Sequence, residues 1–497
     1  MRRTDSLSKS RYTLGLNCRR ALWWTTHEPD APELVPDEVT QARFDDGARV
    51  GALARSYVPG GTLIDFPYGA REEQLVATQQ AIAEGAPAIY EAAFFADNVF
   101  VAVDILERLP NGWALIEVKS STSVKEQHYP DATIQTHVLR RAGLDVTRVE
   151  IMHLNRECVY PDLSNLFTRV DVTEDIEAGL ILVHREVERQ LAALAGPLPE
   201  VPIGRHCREP YECPFKPRCW AGLPEHHVTT LYNAGSSAFP LMDEGFETVD
   251  EIPPERIFHP IARRQQRAIR VGRIIVERAL RGALEPFEPP LAFLDFETVM
   301  PAIPVWTGCR PYDQIPAQFS LHVQRADGSL ENHEHLAEPP EASGEPRDPR
   351  PGIAGALVEA CPPGVPIVVY NAPFERRCLE CLADAVPELA AELHGVAARL
   401  LDLLPVIRDH VYHPAFKGDL GLKSVLPALV PDMGHDRLAV TDGQIASVGL
   451  FRLIVGGQPP DATGRARCVR NLREYCRLDT LATVRLVDAL KRLGSRS

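Results

Sequence analysis

Short apolar runs of strand length recur along this chain. Examples are VFVAVDIL (99–106), WALIEVKS (113–120) and LAFLDFE (291–297), in which apolar residues flank each acidic one. A strand that is apolar on both faces is covered on both faces in the folded protein, most often by helices packed on a sheet. The runs therefore predict a mixed α/β fold.

The order of the predicted elements divides the chain into two blocks. Helix-like and strand-like segments alternate up to about residue 225, and a mostly helix-like segment follows. The proline-rich EPFEPP (285–290) precedes a second block, in which strands come first and helices afterwards. A chain of 497 residues has room for two or three domains. We expect a first domain at 1–225, a helical connector at 226–285 and a second domain at 286–497.

Composition limits the classes of partner and compartment. The net charge is −15, so a nucleic-acid partner would be held by local basic patches or by metal ions. Only seven of the 53 basic residues are lysines, which makes a lysine at a motif position less expected by chance. No apolar run reaches the length of about 18 residues that a membrane span needs, and the N-terminus lacks the apolar region of a secretory signal. The odd number of cysteines, 11, favours a reducing compartment, and we expect a cytoplasmic protein.

Arginines are concentrated in the connector, with eight of them and one acidic residue between positions 256 and 281. One interpretation is a solvated helix face. The other is a strip that contacts the phosphates of a nucleic acid. The candidates for such contacts are Arg263, Arg264, Arg267 and Arg270.

The first block carries two carboxylates and a lysine on neighbouring strands. Glu117 follows Asp104 by 13 residues, and Lys119 lies on the same strand face as Glu117 because side chains i and i+2 point the same way. Such carboxylates can hold a divalent metal, and the lysine can position water or offset the charge of a scissile phosphate. A surface salt bridge is the alternative. The scarcity of lysine, the apolar flanks and Gln135 on the following helix favour the metal site.

The pattern D-x12-E-V-K-S followed by a helix with glutamine resembles the core of PD-(D/E)XK nucleases, specifically the RecB-like branch. The resemblance implies a restriction-endonuclease-like domain with Asp104 and Glu117 as metal ligands. It also implies Lys119 as the catalytic lysine and Gln135 as a residue that assists it.

This chain departs from the RecB-like pattern at three places. It has VAVD where the family often has a glycine near the aspartate, and Leu139 where a tyrosine is usual. The upstream helix (44–54) lacks the usual histidine, and Glu91 is a weak candidate for its role.

Four cysteines form a further candidate site. Cys207, Cys213 and Cys219 are evenly spaced in CREPYECPFKPRC, and Cys18 lies far upstream. Zinc sites prefer ligand pairs two to four residues apart, whereas wider spacings suit an iron–sulfur cluster on four cysteines. Simple packing of buried thiols is the third interpretation. One cysteine before the nuclease core and three after it resemble the iron–sulfur staple of RecB-like exonucleases, which implies one 4Fe-4S cluster on these four residues.

The second block carries acidic residues on three separate elements. Asp295 and Glu297 share one face of a buried strand, and Glu375 follows another strand in NAPFE. Tyr475 and Asp479 are four residues apart and therefore on one helix face. Four such carboxylates can hold two metal ions about 4 Å apart, the arrangement that clamps the attacking and leaving oxygens in phosphodiester hydrolysis.

This set resembles the tyrosine variant of DEDD-type 3′–5′ exonucleases, which have an RNase H-like fold. The resemblance implies Mg²⁺ or Mn²⁺ at Asp295, Glu297 and Asp479, with Tyr475 orienting the attacking water. Glu375 stands where the family usually has aspartate. Asp402 is an acidic residue near the expected site without an assigned role.

The pairing of a RecB-like domain with an RNase H-like domain resembles a family of bacterial proteins known mainly by this fusion. They imply a metal-dependent nuclease acting on single-stranded DNA ends, in repair or defence. The alternatives are an RNA-processing 3′–5′ exonuclease, and a nucleic-acid-binding protein in which one nuclease domain is inactive. No GxxxxGK[ST] loop is present, so the chain does not supply its own ATPase, and a helicase partner remains open. No membrane partner is expected.

Overall fold

The computed structural model describes residues 3–67, 69–340, 344–433, 439–456 and 462–495. The chain divides into two compact units. The first comprises Met1–Gly222 with Ala302–Pro304, and the second comprises Leu223–Pro301 with Val305–Ser497. The segment predicted as a separate connector, 226–285, is thus part of the second unit.

The helices and strands of the first unit follow in chain order. They are β1 (Leu7–Ser8), α1 (Lys9–Asn17), α2 (Arg19–His27), α3 (Glu38–Ala54), β2 (Thr62–Leu63), α4 (Arg71–Ala83), β3 (Ala88–Ala96), β4 (Val99–Leu109), β5 (Gly112–Lys119), α5 (His128–Arg141), β6 (Val146–Leu154), β7 (Phe167–Asp171), α6 (Thr173–Ala195) and α7 (Lys216–Trp220).

A seven-stranded mixed sheet forms the centre of the first unit. Its order is β2–β3–β4–β5–β6–β7, with β1 paired to β4. Asp97 and Asn98 connect β3 to β4 with positive φ angles of 48° and 60°, a turn backbone that matches the twist of an antiparallel pair. β5 and β6 are parallel, so the chain has to cross over between them, and α5 is that crossover.

The side-chain alternation changes phase in the middle of this sheet. In β4, Val101 and Val103 pack in the core that includes α5 and α6, whereas Ile105 packs in the core on the opposite face. Glu91 in β3 lies across from Asp104 and has a φ of 58°. A left-handed residue inside a strand marks an irregularity that re-aims the neighbouring side chains. The irregularity lies level with the predicted metal ligands.

The helices and strands of the second unit also follow in chain order. They are α8 (Ala238–Asp243), α9 (Pro260–Val271), β8 (Ile275–Val276), α10 (Leu280–Ala283), β9 (Leu291–Val299), β10 (Ile315–Gln324), β11 (Leu330–Leu336), α11 (Arg350–Ala360), β12 (Ile367–Val369), α12 (Ala372–Ala385), α13 (Ala390–Ala397), β13 (Leu400–Asp402), α14 (Leu403–His410), β14 (Val411–Tyr412), α15 (Leu422–Leu429), α16 (Gly443–Ile454) and α17 (Ala462–Gly494).

A five-stranded sheet in the order β11–β10–β9–β12–β13 organises the second unit. β10 is antiparallel to both of its neighbours, β9 and β11. β12 and β13 run parallel to β9. The central strand β9 is covered on both faces, since Phe293 belongs to one core and Leu294 and Phe296 belong to another. Both units are therefore α/β, as the sequence predicts.

None of the helices in the described part of the chain is long and apolar enough to cross a membrane.

Candidate active sites

The first candidate site lies in the middle of the seven-stranded sheet. Ile105 of β4 pairs with Ile116 of β5, so Asp104 and Glu117 are the next neighbours across the two strands. The Asp104 carboxylate accepts a hydrogen bond from the N–H of Val118 at 2.7 Å. The fold thus brings together two carboxylates that the sequence placed on separate runs.

The other two predicted residues of this site contact Glu117 directly. Lys119 Nζ lies 2.8 Å from Glu117 Oε1, and Gln135 Nε2 of α5 donates to Oε2 at 2.6 Å. Gln135 is fully buried, and its Oε1 has no hydrogen-bond partner among the described residues. This oxygen retains acceptor capacity for a cation or a water.

Two further charged residues complete the first site. Lys9, the first residue of α1, donates to the same Glu117 Oε1 at 2.8 Å, and Asp131 of α5 accepts from Lys119 at 2.5 Å. Sequence reasoning missed both. The scarcity of lysine was a signal for Lys9, and the spacing of one helical turn before Gln135 was a signal for Asp131.

Electrostatics shift the pKa values of the two carboxylates in opposite directions. Burial would raise the pKa of Glu117, but the ammonium groups of Lys9 and Lys119 lower it below its usual range. Burial and the charge of Glu117 raise the pKa of Asp104, and Glu91 adds to this effect. A bound divalent cation would relieve this repulsion and allow both carboxylates to ionise.

The four predicted cysteines lie close together in the first unit. Cys18 ends α1 and begins α2, and the N–H of Cys213 donates to the backbone oxygen of Cys207 at 3.1 Å. The charges of Cys18, Cys207 and Cys219 all act on Cys213, whose pKa burial raises to about 11. A positively charged group is therefore needed to hold this thiol as a thiolate.

The surroundings of the cysteines contain hydrogen-bond donors suited to thiolate sulfur. The Arg20 and Arg208 Nε atoms and the Trp220 indole nitrogen are buried without a hydrogen-bond partner among the described residues. Arg20 acts electrostatically on Cys219, and Arg208 and Trp220 directly follow two of the cysteines. Hydrogen bonds to sulfur are one of the means by which proteins tune iron–sulfur clusters. These unused donors fit such a cluster.

The spacing of the thiols also bears on the metal. Tetrahedral zinc would bring sulfur atoms within about 3.8 Å of one another, given Zn–S bonds of about 2.3 Å. In the described ranges, the groups of three or more potential ligands whose donor atoms lie within 4.8 Å of one another do not include these cysteines. In every set of three of these cysteines at least one sulfur–sulfur distance therefore exceeds 4.8 Å, and the group that the four would hold stays a prediction.

The second candidate site is built around the end of β9. Asp295 and Glu297 lie on one face of this strand, and Cys476 of α17 comes within 4.8 Å of both carboxylates. Burial raises the pKa of Asp295 well above its usual range, and the charges of Asp479, Glu297 and Glu375 raise it further. The other three predicted carboxylates therefore all act on Asp295.

Glu375 enters this cluster from the first turn of α12, directly after β12. It is buried, and its Oε2 has no hydrogen-bond partner among the described residues. Burial raises the pKa of Glu375 to about 8, and the nearby Asp402 contributes. Asp402 itself caps α14 by accepting from the N–H of Leu404 at 3.1 Å, so its place beside the site has a structural reason.

Tyr475 and Asp479 lie one turn apart on α17, as predicted from their spacing. Both are buried, and burial together with a hydrogen bond to Asp479 raises the pKa of Tyr475 above its usual range. The Lys423 ammonium lies 5.8 Å from the centre of the Tyr475 ring. The tyrosine is thus a neutral hydroxyl held against the last carboxylate.

The N-terminus of α16 adds a feature that the sequence analysis did not identify. Asp442 caps this helix by accepting from the N–H of Ile445 at 2.9 Å. A Cβ atom on Gly443, the first helical residue, would lie 3.8 Å from Glu297 Oε2. The positive end of a helix therefore faces a carboxylate whose pKa is raised by burial and by Asp479.

The donor set of the second site fits hard divalent cations. Carboxylate oxygens are the ligands that Mg²⁺ and Mn²⁺ prefer, and the unpartnered Glu375 oxygen is a further available donor. Asp295, Glu297 and Asp479 are the residues that would hold the ions, and such ions activate water and neutralise developing charge.

The four candidate arginines lie on α9 and have protein partners. Arg264 is largely buried and donates to Glu277 and to the backbone oxygen of Arg408. Arg263 and Arg270 donate to backbone oxygens, and Arg267 lies 3.5 Å from Glu277 with 62% of its side chain exposed. Phosphate contact stays a prediction, and Arg263, Arg267 and Arg270 are exposed enough to make it, whereas Arg264 is not.

A third group of potential ligands lies at the hairpin turn between β3 and β4. Asp97 Oδ2 is 2.8 Å from His137 Nε2 and 3.1 Å from Arg141 Nε, and His184 completes the group. The Arg141 guanidinium neutralises the carboxylate. We interpret this group as an ion-pair network that ties the turn to α5.

The comparisons with known proteins reach part of the second unit. Residues 292–420 match a family profile described as a domain of unknown function, DUF2779. The matched segment contains Asp295, Glu297 and Glu375, and it ends before Tyr475 and Asp479. A search of curated protein sequences gives no match.

Proposed function

We propose that this protein is a metal-dependent nuclease that hydrolyses phosphodiester bonds of DNA at single-stranded ends, with two active sites. The observation that carries the proposal is the cluster of carboxylates in the second unit, in which burial and the charges of Asp479, Glu297 and Glu375 raise the pKa of Asp295, and burial and Asp479 raise that of Glu297. Such a cluster is unfavourable without cations, and its ligands suit the ions used in phosphoryl chemistry.

In the second unit, the residues of the chain have separable tasks. Asp295, Glu297 and Asp479 bind the ions, and Glu375 adds a carboxylate from the first turn of α12. Tyr475 stays protonated, and its hydroxyl oxygen, whose proton is donated to Asp479, can accept a hydrogen bond that orients the attacking water. The order of motifs and the mixed sheet with the first motif on its central strand support a DEDD-type, RNase H-like exonuclease domain.

In the first unit, Asp104, Glu117, Lys119 and Gln135 form the proposed RecB-like, PD-(D/E)XK site. Gln135 orients Glu117, whose ionised form is a metal ligand. Lys119 stays an ammonium, because burial would lower its pKa but Glu117 and Asp131 raise it above the usual range. It can therefore position water or stabilise charge on the phosphate.

Digestion of end-labelled single- and double-stranded DNA and RNA with Mg²⁺ or Mn²⁺ tests the proposal. We expect cleavage of single-stranded DNA that requires the added metal and is abolished by EDTA. Preferential cleavage of RNA would favour the RNA-processing alternative. Binding without cleavage would favour a nucleic-acid-binding protein.

A pair of variants links the activity to the cluster. Glu297→Gln removes a buried ligand, whereas Glu331→Gln removes an exposed carboxylate of β11 that pairs with Arg325. The 3′–5′ activity should fall by about 100-fold or more in the first variant and stay unchanged in the second. Equal activities would contradict the assignment of the second site.

A further inference from the structure

Lys9 is a residue of the first site that neither resemblance assigned. Its ammonium and that of Lys119 both donate to Oε1 of Glu117, each at 2.8 Å. Two of the seven lysines in the chain therefore meet on one carboxylate oxygen. The same site also holds the Asp104 and Asp131 carboxylates, which act on the Lys9 ammonium together with Glu117. What distinguishes Lys9 from Lys119 is therefore the set of direct ion pairs that each lysine makes.

The fold holds Lys9 at this place from both sides. Leu7 is fully buried, and Leu7 and Ser8 pair with Val99 and Phe100 at the start of β4. Ser8 then caps α1 by accepting a hydrogen bond from the N–H of Arg11 at 3.3 Å. The direction in which Lys9 leaves the backbone is thus set by a strand pairing and a helix cap.

The two lysines differ in their remaining partners. Lys119 also forms an ion pair with Asp131, and this pair would hold Lys119 in place when Glu117 binds another group. Among the residues that the structure describes, Glu117 is the acceptor with which Lys9 forms an ion pair. The Lys9 side chain is 25% exposed and that of Lys119 is 19% exposed, whereas that of Glu117 is 1% exposed, so solvent reaches part of each lysine but hardly reaches the carboxylate.

We infer that Lys9 is a second catalytic lysine of the first site, which contacts the phosphate of the bound strand when Glu117 holds a metal ion. This inference rests on the proposed nuclease function. Glu117 would turn from Lys9 if it held a metal ion, and the ammonium of Lys9, a compact and strongly charged donor, would then be available to the anion nearest to it. Lys119 stays with Asp131 beside the carboxylates.

The test uses full-length protein carrying Asp295→Ala, so that cleavage of a 5′-labelled single strand reports the first site alone. The variants are Lys9→Ala, Lys9→Arg, and the control Lys491→Ala, which removes a surface ion pair with Glu288. Specificity constants are measured from low to high KCl, and the Mn²⁺ concentration for half-maximal rate is measured for each variant.

Lys9→Ala should lower kcat/KM by about 100-fold, as for loss of one charge-stabilising donor. It should also reduce the steepness of the salt dependence by about 0.7, the value for one phosphate contact to a single strand. Lys9→Arg should restore the salt dependence of the unaltered lysine. The Mn²⁺ concentration for half-maximal rate should not increase in either Lys9 variant.

Two results would overturn the inference. One is Lys9→Ala activity within twofold of the control. The other is a loss of activity with unchanged salt dependence and no recovery in Lys9→Arg, which would assign Lys9 a structural role. If Glu117→Gln also leaves cleavage intact, the proposed function of the first site fails instead.

Discussion

At the scale of single residues, the second site contains carboxylates on which burial acts more strongly than the basic residues of the described structure. Lys423 is the basic residue that acts on Glu297, and it lowers the pKa of that carboxyl less than burial and Asp479 raise it. A site with this balance binds protons in the absence of metal and exchanges them for metal ions. Both pH and metal should therefore control its stability.

Glu375→Gln should stabilise the metal-free protein at alkaline pH. The folded-state pKa of Glu375 is raised to about 8, so its contribution to stability is present below its unfolded pKa of about 4.3 and is lost as pH rises through 8. Glutamine stays neutral, and we expect the unfolding temperature at pH 9 to rise by roughly 5 °C, with little change at pH 4. Thermal unfolding in EDTA measures this, and a larger gain at pH 4 than at pH 9 would contradict it.

Tyr475→Phe should separate chemistry from metal binding. The substitution removes the hydroxyl that hydrogen-bonds to Asp479 and keeps the ring in its buried place. We expect the 3′–5′ rate to fall by about 100-fold, the usual effect of removing one positioned donor. The Mn²⁺ affinity, measured by calorimetry, should stay within a few fold, and a parallel loss of affinity would mean that the hydroxyl acts mainly on the ligand.

At the scale of elements, the short helix α1 connects two features of the first unit. It begins at Lys9, whose ammonium binds Glu117, and ends at Asn17, directly before Cys18, which is the cap residue between α1 and α2. The remaining cysteines lie about 190 residues further along, so a group bound by all four would close a long loop and tie α1 in place. The cysteine site is thereby linked to the geometry of the first active site.

Cys213→Ser should lose the bound group and destabilise the first unit. Anaerobically purified protein is expected to be brown and to contain iron, whereas the variant should be colourless and unfold at a lower temperature. Cys158→Ser, which alters a buried cysteine outside the set, is the matched control and should keep its iron. Stoichiometric zinc without iron in the unaltered protein would refute the assignment.

At the scale of the whole molecule, the two carboxylate sets belong to different compact units, each with its own core. Lys9, Asp104, Glu117, Lys119, Asp131 and Gln135 all come from the first unit. Asp295, Glu297, Glu375, Tyr475 and Asp479 all come from the second. The predicted residues of each site thus belong to one unit, which predicts that the two activities are separable.

Lys119→Ala and Asp295→Ala should each remove one activity and leave the other. Lys119→Ala keeps the ligands Asp104 and Glu117, so metal binding should survive the loss of cleavage at the first site. Strands blocked at the 3′ end and at the 5′ end distinguish 5′-directed cleavage from the 3′-directed cleavage expected of the second site. If one folded single variant loses cleavage of both substrates, the sites are coupled or only one is active.

The sequence by itself determined the features that depend on local periodicity. The alternation of two residues placed Glu117 beside Lys119, and Asp295 on the face of Glu297, while the spacing of one helical turn placed Tyr475 by Asp479. The sequence also predicted the buried strands, because a run that is apolar on both faces is stable only where both faces are covered. It did not predict β11, because LENHEHL is polar and forms the exposed edge of its sheet.

Only the tertiary structure decided which distant groups meet. Lys9 reaches Glu117 across 108 positions, and the N-terminus of α16 comes to face Glu297 through the packing of α16 and α17. The same holds for Cys18 and for the assignment of residues 223–285 to the second unit. These contacts have no repeating spacing in the chain, because they are set by how whole helices pack on the sheets.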